Sequence, residues 1–342
     1  MQRRSVSIPA MLAGLLLAAA AQASDGVVEI NQACAGTGCF PSDAPGFPVT
    51  ITESGSYRLT SNLLVSANTS AITVGVARVQ IDLGGFEVRG SGSCIDSGSA
   101  LTCFGHGTST GIKAEQTGIR VANGTVRGFG NGGVYVGTDG QADSIRVEEN
   151  LNYGIGGGSV SDVVAERNFG VGISVSPGIV RGCVSLRNRG DGISVFAGRV
   201  ADNVVDGNSG IGIRADTASI VSDNIVRANG AQGIFLSGSG IARNNAVMAN
   251  VADGIVGNDG ALIVGNTSRA NGQAGIVALS AGSVLDNVVR GNTGIGIYLF
   301  PEQGGAPAAF RGNVVISTPP SSSVTNGVNM GENACNGATT CP

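Results

Sequence analysis

The chain has 342 residues, of which 42% are hydrophobic, 13% are charged and 57 are glycines, and its net charge is −4. So much glycine argues against a mainly helical protein, because each glycine destabilises a helix interior by about 1 kcal/mol relative to alanine. The many aliphatic residues argue against disorder, and an acidic balance without a basic stripe argues against a nucleic-acid partner.

Residues 1–23 have the pattern of a secretory signal peptide. Arg3 and Arg4 precede an apolar run at 11–21 that is too short to span a bilayer. Small residues at 21 and 23 then fit a cleavage site. No other stretch is apolar enough to be a transmembrane segment. We therefore predict an exported protein, either extracellular or periplasmic.

All seven cysteines follow this segment, and six of them form close-spaced couples. The couples are Cys34 with Cys39, Cys94 with Cys103, and Cys335 with Cys341. In an exported chain such couples predict local disulfides. Zinc is a poorer explanation, because the sequence has one histidine and no Cys-x-x-Cys pair. The remaining cysteine, Cys183, is predicted to be a buried structural thiol.

The central part of the chain repeats one unit, which consists of an asparagine, three variable residues, a glycine and an isoleucine. The repeat asparagines are Asn150, Asn168, Asn188, Asn208, Asn229, Asn250, Asn271 and Asn292. They are 18, 20 and 20 residues apart, and then 21 residues apart four times. A near-constant period of this length indicates a solenoid, in which each unit buries its apolar face against its neighbours.

Two further features of the repeat predict how its coils stack. A second asparagine column lies five residues before the first, at Asn203, Asn224, Asn245, Asn266 and Asn287. Apolar residues alternate in short runs between these positions, which predicts strands. Stacked strands place equivalent residues about 4.8 Å apart, so the amides can bond from coil to coil. We expect the asparagines to take left-handed turn positions and the repeat glycines to relieve backbone strain.

Other solenoids do not match this unit, because leucine-rich repeats, nine-residue calcium-binding rolls and hexapeptide helices all have different periods. Over roughly residues 49–316 the chain instead resembles the right-handed parallel β-helix repeat proteins of the pectin-lyase-like superfamily. The segments Ser56–Leu59, Ile81–Phe86 and Asn123–Phe129 are similar to the opening coils of that family.

The resemblance implies an all-β fold, a single-stranded right-handed parallel β-helix. We expect about eleven coils within residues 61–316. Residues 24–60 are predicted to form an N-terminal cap. Residues 317–342 are predicted to form a C-terminal cap that contains the last disulfide.

A candidate ligand site lies on the outward face of the strand that follows each repeat isoleucine. Arg214 and Phe235 are expected on successive coils, close enough for a cation–π contact. Asp216 and Asn258 lie on the same face. An aromatic ring beside directional polar groups suits a sugar, and in a lyase Arg214 would be the base. The alternative is a solvated sheet face with an ordinary Arg–Asp ion pair.

A candidate metal site is formed by Asp202, Asp223 and Asn244, which fall on successive coils. Their oxygens are the type of ligand that Ca²⁺ prefers. The alternative is that each side chain caps its own turn by accepting from the backbone N–H two residues on. Calcium is the only cofactor that the sequence suggests.

Signatures of known enzymes are incomplete in this sequence. The segment 105–107, centred on His106, is reminiscent of polygalacturonases but lacks their upstream aspartates. The Asp-Pro-His-Glu tetrad of alginate epimerases and lyases with this fold does not occur. One histidine and few methionines argue against copper delivery, the role of a related periplasmic branch.

The sequence therefore favours an exported, non-catalytic protein. Its partner would be a polysaccharide or cell-surface glycan, or it would serve as a structural module. The alternative is a polysaccharide lyase or glycoside hydrolase that acts on acidic glycans.

Overall fold

The computed structural model describes residues 26–66, 68–98, 101–105, 107–300, 306–317, 322–338 and 341. The predicted signal peptide and His106 lie outside the described residues. One short helix, Gln32–Ala35, is present in this part of the chain, and its first turn is capped by the Asn31 side chain. None of the described helices is long and apolar enough to cross a membrane.

Each coil contributes one strand to each of three parallel sheets, which we name sheets 1, 2 and 3. Sheet 1 contains the repeat isoleucines. Its strands are Val49–Ile51, Ile72–Val74, Thr110–Ala114, Gly132–Tyr135, the first parts of Tyr153–Ser161 and Val171–Arg181, Ile193–Phe196, Ile213–Asp216, Ile234–Leu236, Ile255–Gly257, Ile276–Leu279, Ile297–Phe300 and Val324–Thr325.

Sheet 2 follows sheet 1 along each coil, and it has one further strand, Val27–Ile30, that precedes the first coil. Its strands are Val27–Ile30, Gly55–Leu59, Val79–Asp82, the first parts of Arg120–Arg127 and Gln141–Glu148, the second parts of Tyr153–Ser161 and Val171–Arg181, Gly198–Ala201, Ile220–Ser222, Ile241–Arg243, Leu262–Val264, Ser283–Leu285, Ala309–Arg311 and Val328–Asn329. The four long strands therefore bend through a corner and belong to two sheets.

Sheet 3 closes each coil. Its strands are Leu63–Leu64, Glu87–Arg89, the second parts of Arg120–Arg127 and Gln141–Glu148, Val164–Glu166, Val184–Leu186, Val204–Asp206, Ile225–Arg227, Ala246–Met248, Thr267–Arg269, Val288–Arg290, Val314–Ile316 and Ala334–Cys335. Outside the three sheets, Ser93–Asp96 and Leu101–Phe104 form an antiparallel hairpin.

The predicted fold class is confirmed, but the described chain forms thirteen coils where about eleven were predicted. The difference arises at the two ends. Val49–Ile51, within the segment predicted as a cap, pairs with the next strand of sheet 1. At the other end Val324–Thr325 pairs with Ile297–Phe300. These end segments lack the Asn-Gly-Ile pattern, so counting repeats could not find their strands.

The repeat isoleucines form the centre of the core. Ile213, Ile234, Ile255 and Ile276 are in register on successive coils, and each is 0% exposed. Burying one such side chain contributes about 1.5–3 kcal/mol. A column of identical side chains therefore fixes the register of one coil on the next.

The two asparagine columns form continuous amide ladders at the corners that flank sheet 3. The Nδ2 of Asn224 donates to Oδ1 of Asn245 at 2.9 Å, and Asn245 donates to Asn266 at 2.9 Å. The repeat asparagines do the same, with 2.9 Å from Asn229 to Asn250. These residues are buried, so the ladders satisfy amides that would otherwise destabilise the core.

Two of the expected physical reasons are wrong. The left-handed residue is not the asparagine but the residue before it, such as Asp223 (φ 61°) before Asn224. The repeat glycines, for example Gly233, do not have a positive φ. Glycine is needed there for space, because a Cβ on Gly233 would lie 2.3 Å from Val247 Cγ1 and 2.7 Å from Asn250 Nδ2.

The three predicted disulfides are present. They join Cys34 to Cys39, Cys94 to Cys103, and Cys335 to Cys341. The middle one links the two strands of the hairpin. Cys183 is free and buried, and burial raises the pKa of its thiol to about 11, as expected for an unreactive structural cysteine.

Candidate functional site

The outer face of sheet 1 carries an unusual share of the aromatic residues. Of the ten phenylalanines and four tyrosines in the chain, six lie on strands of this sheet with their side chains directed outward. They are Tyr135, Tyr153, Phe196, Phe235, Tyr298 and Phe300. The neighbours of Phe235 in its strand, Ile234 and Leu236, are both 0% exposed, which shows the alternation between core and surface.

The predicted contact between Arg214 and Phe235 is present. The two residues are in register on successive strands, and the guanidinium carbon lies 5.6 Å from the centre of the ring. That separation is within the range of a cation–π interaction. The pair therefore forms one polar and aromatic surface across two coils, which we name the Arg214 platform.

Arg214 is anchored by a residue that the sequence analysis did not identify. Its Nε donates to Oδ2 of Asp191 at 2.7 Å, and Oδ1 of Asp191 accepts from the backbone N–H of Ile211 at 2.8 Å. Asp216 does not pair with the guanidinium. Its carboxylate accepts from the Ser237 hydroxyl at 2.5 Å.

Asn258 lies on the same face but away from Arg214. It lines a cavity of about 170 Å³ together with Leu279 and Phe300. Its Oδ1 is buried without a hydrogen-bond partner among the described residues. An unsatisfied buried acceptor is unfavourable, and this oxygen is itself shielded from solvent.

A tyrosine pocket on the same face was missed by the sequence analysis. It has a volume of about 170 Å³ and is lined by Tyr135, Tyr153, Gly156, Gly157, Ser174 and Ser176, among others. The sequence signal for this pocket is the glycine run at 156–158. Later repeats carry outward side chains at the position equivalent to Gly156. Burial raises the pKa of Tyr153, Tyr135 and Glu115 raise it further, and a hydrogen bond with Thr110 opposes the shift.

The candidate calcium ligands lie on successive coils, at the corner between sheets 2 and 3. Each has a left-handed backbone, with φ of 59° at Asp202, 61° at Asp223 and 55° at Asn244. Oδ2 of Asp202 accepts from Nε of Arg181 at 3.1 Å. Calcium binding by these three residues stays a prediction, and a calorimetric titration with Ca²⁺ would check it.

The capping alternative does not describe the turn at Asp202. The backbone N–H two residues on, that of Val204, donates to the carbonyl oxygen of Cys183 in the preceding coil at 2.9 Å. Hydrogen bonds between coils therefore hold this turn.

A second cluster of charges, on sheet 3, is internally neutralised. Arg127 pairs with Glu87, and Arg146 pairs with Glu148 at 2.8 Å and with Glu166. Arg167 lies 3.2 Å from Glu149 at the adjoining corner. Because each arginine has a carboxylate partner, this network explains local packing rather than ligand binding.

Comparison with known proteins supports the fold. The A-module of mannuronan C-5 epimerase AlgE4 from Azotobacter vinelandii has a TM-score of 0.57 at 15% identity, over 80% of this chain and 91% of that chain. A double mutant of the periplasmic alginate epimerase AlgG has a TM-score of 0.54 at 13% identity, over 90% and 82% of the two chains. The predicted parallel β-helix fold is thereby confirmed.

A family model described as periplasmic copper-binding protein (NosD) matches residues 107–257, which is less than half of the chain. No curated protein matches the sequence.

The described residues do not fit a copper site. Six cysteines are in disulfides, and Cys183 is a buried thiol with a pKa raised to about 11. No group of three or more His, Cys, Asp or Glu that could hold a metal ion occurs in the part of the chain that the structure describes. Copper binds through thiolate, thioether and imidazole ligands, so these residues give no basis for a copper-dependent step.

Proposed function

For this right-handed parallel β-helix protein, we propose that the chain is exported and binds a carbohydrate chain along the outer face of sheet 1 without cleaving it. The observation that carries the proposal is the concentration of six aromatic side chains on that one face. Sugars bind to aromatic rings through their apolar faces and to polar groups through their hydroxyls. Sheet 1 offers both along its length.

The Arg214 platform supports binding rather than proton abstraction. Nε of Arg214 already donates to Asp191 at 2.7 Å, and the side chain lies against Phe235. A guanidinium held by a carboxylate presents its remaining N–H groups in a fixed direction. Arg214 is therefore suited to orienting a sugar hydroxyl or carboxylate, and poorly suited to acting as a base.

The second candidate function is a polysaccharide-modifying enzyme. It is favoured by the similarity of fold to a mannuronan C-5 epimerase module. At 15% identity this similarity establishes the fold alone, and many unrelated functions share a fold.

The test is calorimetric titration of the purified protein with neutral and acidic polysaccharides, supplied with and without Ca²⁺. We expect Arg214→Ala and Phe235→Ala each to weaken binding at least tenfold, which corresponds to about 1.4 kcal/mol. Arg199→Ala is the matched control, because Arg199 is an exposed arginine of sheet 2. No binding to any polysaccharide, or an equal loss in the control, would overturn the proposal. Unsaturated or epimerised products in the same mixtures would establish the enzyme.

A further inference from the structure

We propose that the Tyr135–Tyr153 pocket binds a single uncharged sugar ring. The inference rests on the proposed function only in taking the ligand to be a carbohydrate. The pocket is separate from the Arg214 platform, because Tyr135 lies four coils before Arg214 on the same face. That separation is about 19 Å at the spacing of strands in a sheet.

Two tyrosines on successive coils form the walls of the pocket. Tyr153 is in register with Gly132 of the preceding strand, and a Cβ on Gly132 would lie 2.2 Å from Cζ of the Tyr153 ring. The ring therefore lies directly against the backbone at Gly132. Tyr135 is packed in the same way on the following coil, where a Cβ on Gly156 would lie 3.2 Å from its Cδ2.

The floor of the pocket has no side chains where the rings need space. Gly156 and Gly157 line the pocket with backbone alone, and Ser174 and Ser176 line it from the next coil, both as exposed residues. Aromatic walls over a floor of backbone and hydroxyl groups suit a flat ring with hydroxyls at its edge. The pocket volume is about 170 Å³, several times the roughly 30 Å³ that one water occupies, which is enough for one small ring.

The surrounding charges disfavour an acidic sugar. No charged side chain is among the described residues that line the pocket. Lys113, in register with Tyr135 on the preceding coil, lies 3.1 Å from Glu115 and pairs with it, and Glu115 contributes to raising the pKa of Tyr153. A uronate carboxylate would lose water here without gaining a cation. A neutral hexose loses no such interaction.

The chain itself provides a readout for this test. It has four tyrosines and no tryptophan, so its intrinsic fluorescence comes from the four tyrosines, two of which, Tyr135 and Tyr153, line the pocket. The full-length protein is titrated with glucose, galactose and mannose, and separately with their uronates, which differ only by a carboxylate. We expect a saturable change with at least one neutral sugar and at least tenfold weaker binding of its uronate. Equal affinity for the two members of a pair would overturn the inference.

The variants locate the binding. Tyr135→Ala and Tyr153→Ala should abolish the saturable change. Tyr153→Phe keeps the ring, so its affinity should stay within about threefold of wild type, on a scale where tenfold corresponds to about 1.4 kcal/mol. Phe104→Ala removes an exposed aromatic ring of the hairpin outside the three sheets and should leave affinity unchanged. Unfolding midpoints of all variants show whether the alanine variants are folded. Binding that survives in both folded alanine variants would contradict the pocket.

The outcomes separate this inference from the proposed function. Polysaccharide binding that depends on Arg214 and Phe235, without any monosaccharide binding, leaves the proposed function standing and removes the pocket. Neutral-sugar binding that depends on Tyr135 and Tyr153, without any polysaccharide binding, leaves the pocket standing and removes the proposed function.

Discussion

Cys183 occupies a position at which the following coils carry ladder asparagines. Its backbone N–H donates to Oδ1 of Asn203 at 2.8 Å, as Asn203 donates to Asn224 at 3.0 Å. Asn203 also uses its Nδ2 to reach the carbonyl oxygen of Val180 at 3.1 Å. The thiol replaces these amide hydrogen bonds only weakly, since sulfur is a poor donor.

Cys183→Asn should therefore extend the ladder by one coil. We expect the free energy of unfolding at pH 7 to rise by about 1 kcal/mol, the net contribution of one typical hydrogen bond. Chemical denaturation of the two proteins measures it. A loss of stability would mean that the site does not have the ladder geometry. Cys183→Ser is the control, because serine leaves the backbone contacts in place but adds no side-chain amide to the ladder.

The pH dependence of the same substitution has a defined sign. Burial raises the pKa of the Cys183 thiol from 9.0 to about 11, so the unfolded chain loses this proton at lower pH than the folded chain. The stability from this group is complete below pH 9 and is lost as the pH rises towards 11. Wild type should therefore lose stability relative to Cys183→Asn over this interval. Parallel pH profiles would contradict the assignment.

The sequence predicted the roles of some single residues correctly and did not predict those of others. The amide ladders followed from the constant period, because equal spacing puts equal residues above each other. The need for glycine could not be assigned correctly, since it depends on where the amide of the next coil lies. Asp191 was missed because its column continues with Ile211 and Gln232, which carry no charge and gave no pattern.

At the scale of the strand and its flanking turn, the repeat glycines decide how closely two coils approach. A Cβ on Gly233 would contact Val247 Cγ1 at 2.3 Å and the carbonyl oxygen of Gly254 at 2.7 Å. Separations of this size cannot be relieved by rotating one side chain, because backbone and ladder atoms lie on several sides. Adjacent coils would have to move apart.

Gly233→Ala should accordingly lower the free energy of unfolding by several kcal/mol, which is at or above the usual range for overpacking of about 1–3 kcal/mol. The matched control is Gly291→Ala. Gly291 has a φ of 61° with no atom within 4 Å of an added Cβ, and Ala249 and Ala270 occupy the same turn position. The control should cost about 1 kcal/mol. Similar losses for both glycines would show that conformation, not space, is the reason for the repeat glycine.

The neighbours of a strand residue on the next coil could be predicted from the sequence where the repeat is regular. Arg214 and Phe235 were placed together because both follow a repeat isoleucine in coils of 21 residues. The tyrosine pocket falls where the spacing shortens to 18 residues, and there the sequence does not show which outward residues become neighbours. Contacts between side chains in irregular coils depend on the path of the turn, which a pattern of residue types does not specify.

At the scale of the molecule, the described coils form a rod about 60 Å long, at the strand spacing of ~4.8 Å. Sheet 1 runs along this whole length, and its outer face changes from tyrosines and glycines to the Arg214 platform and then to Tyr298 and Phe300. An extended ligand would meet these features in sequence, whereas a small ligand would meet only one. This arrangement is the reason for proposing a polymer as the partner.

Hydroxyl-radical footprinting of the protein with a bound polysaccharide tests the location of this binding face most directly. The account predicts reduced oxidation of Phe196, Phe235 and Phe300, which lie on sheet 1. Oxidation of Ile179 on sheet 2 and Ile225 on sheet 3, both exposed, should stay unchanged. Protection of sheet 2 or sheet 3 with sheet 1 left fully reactive would contradict the account.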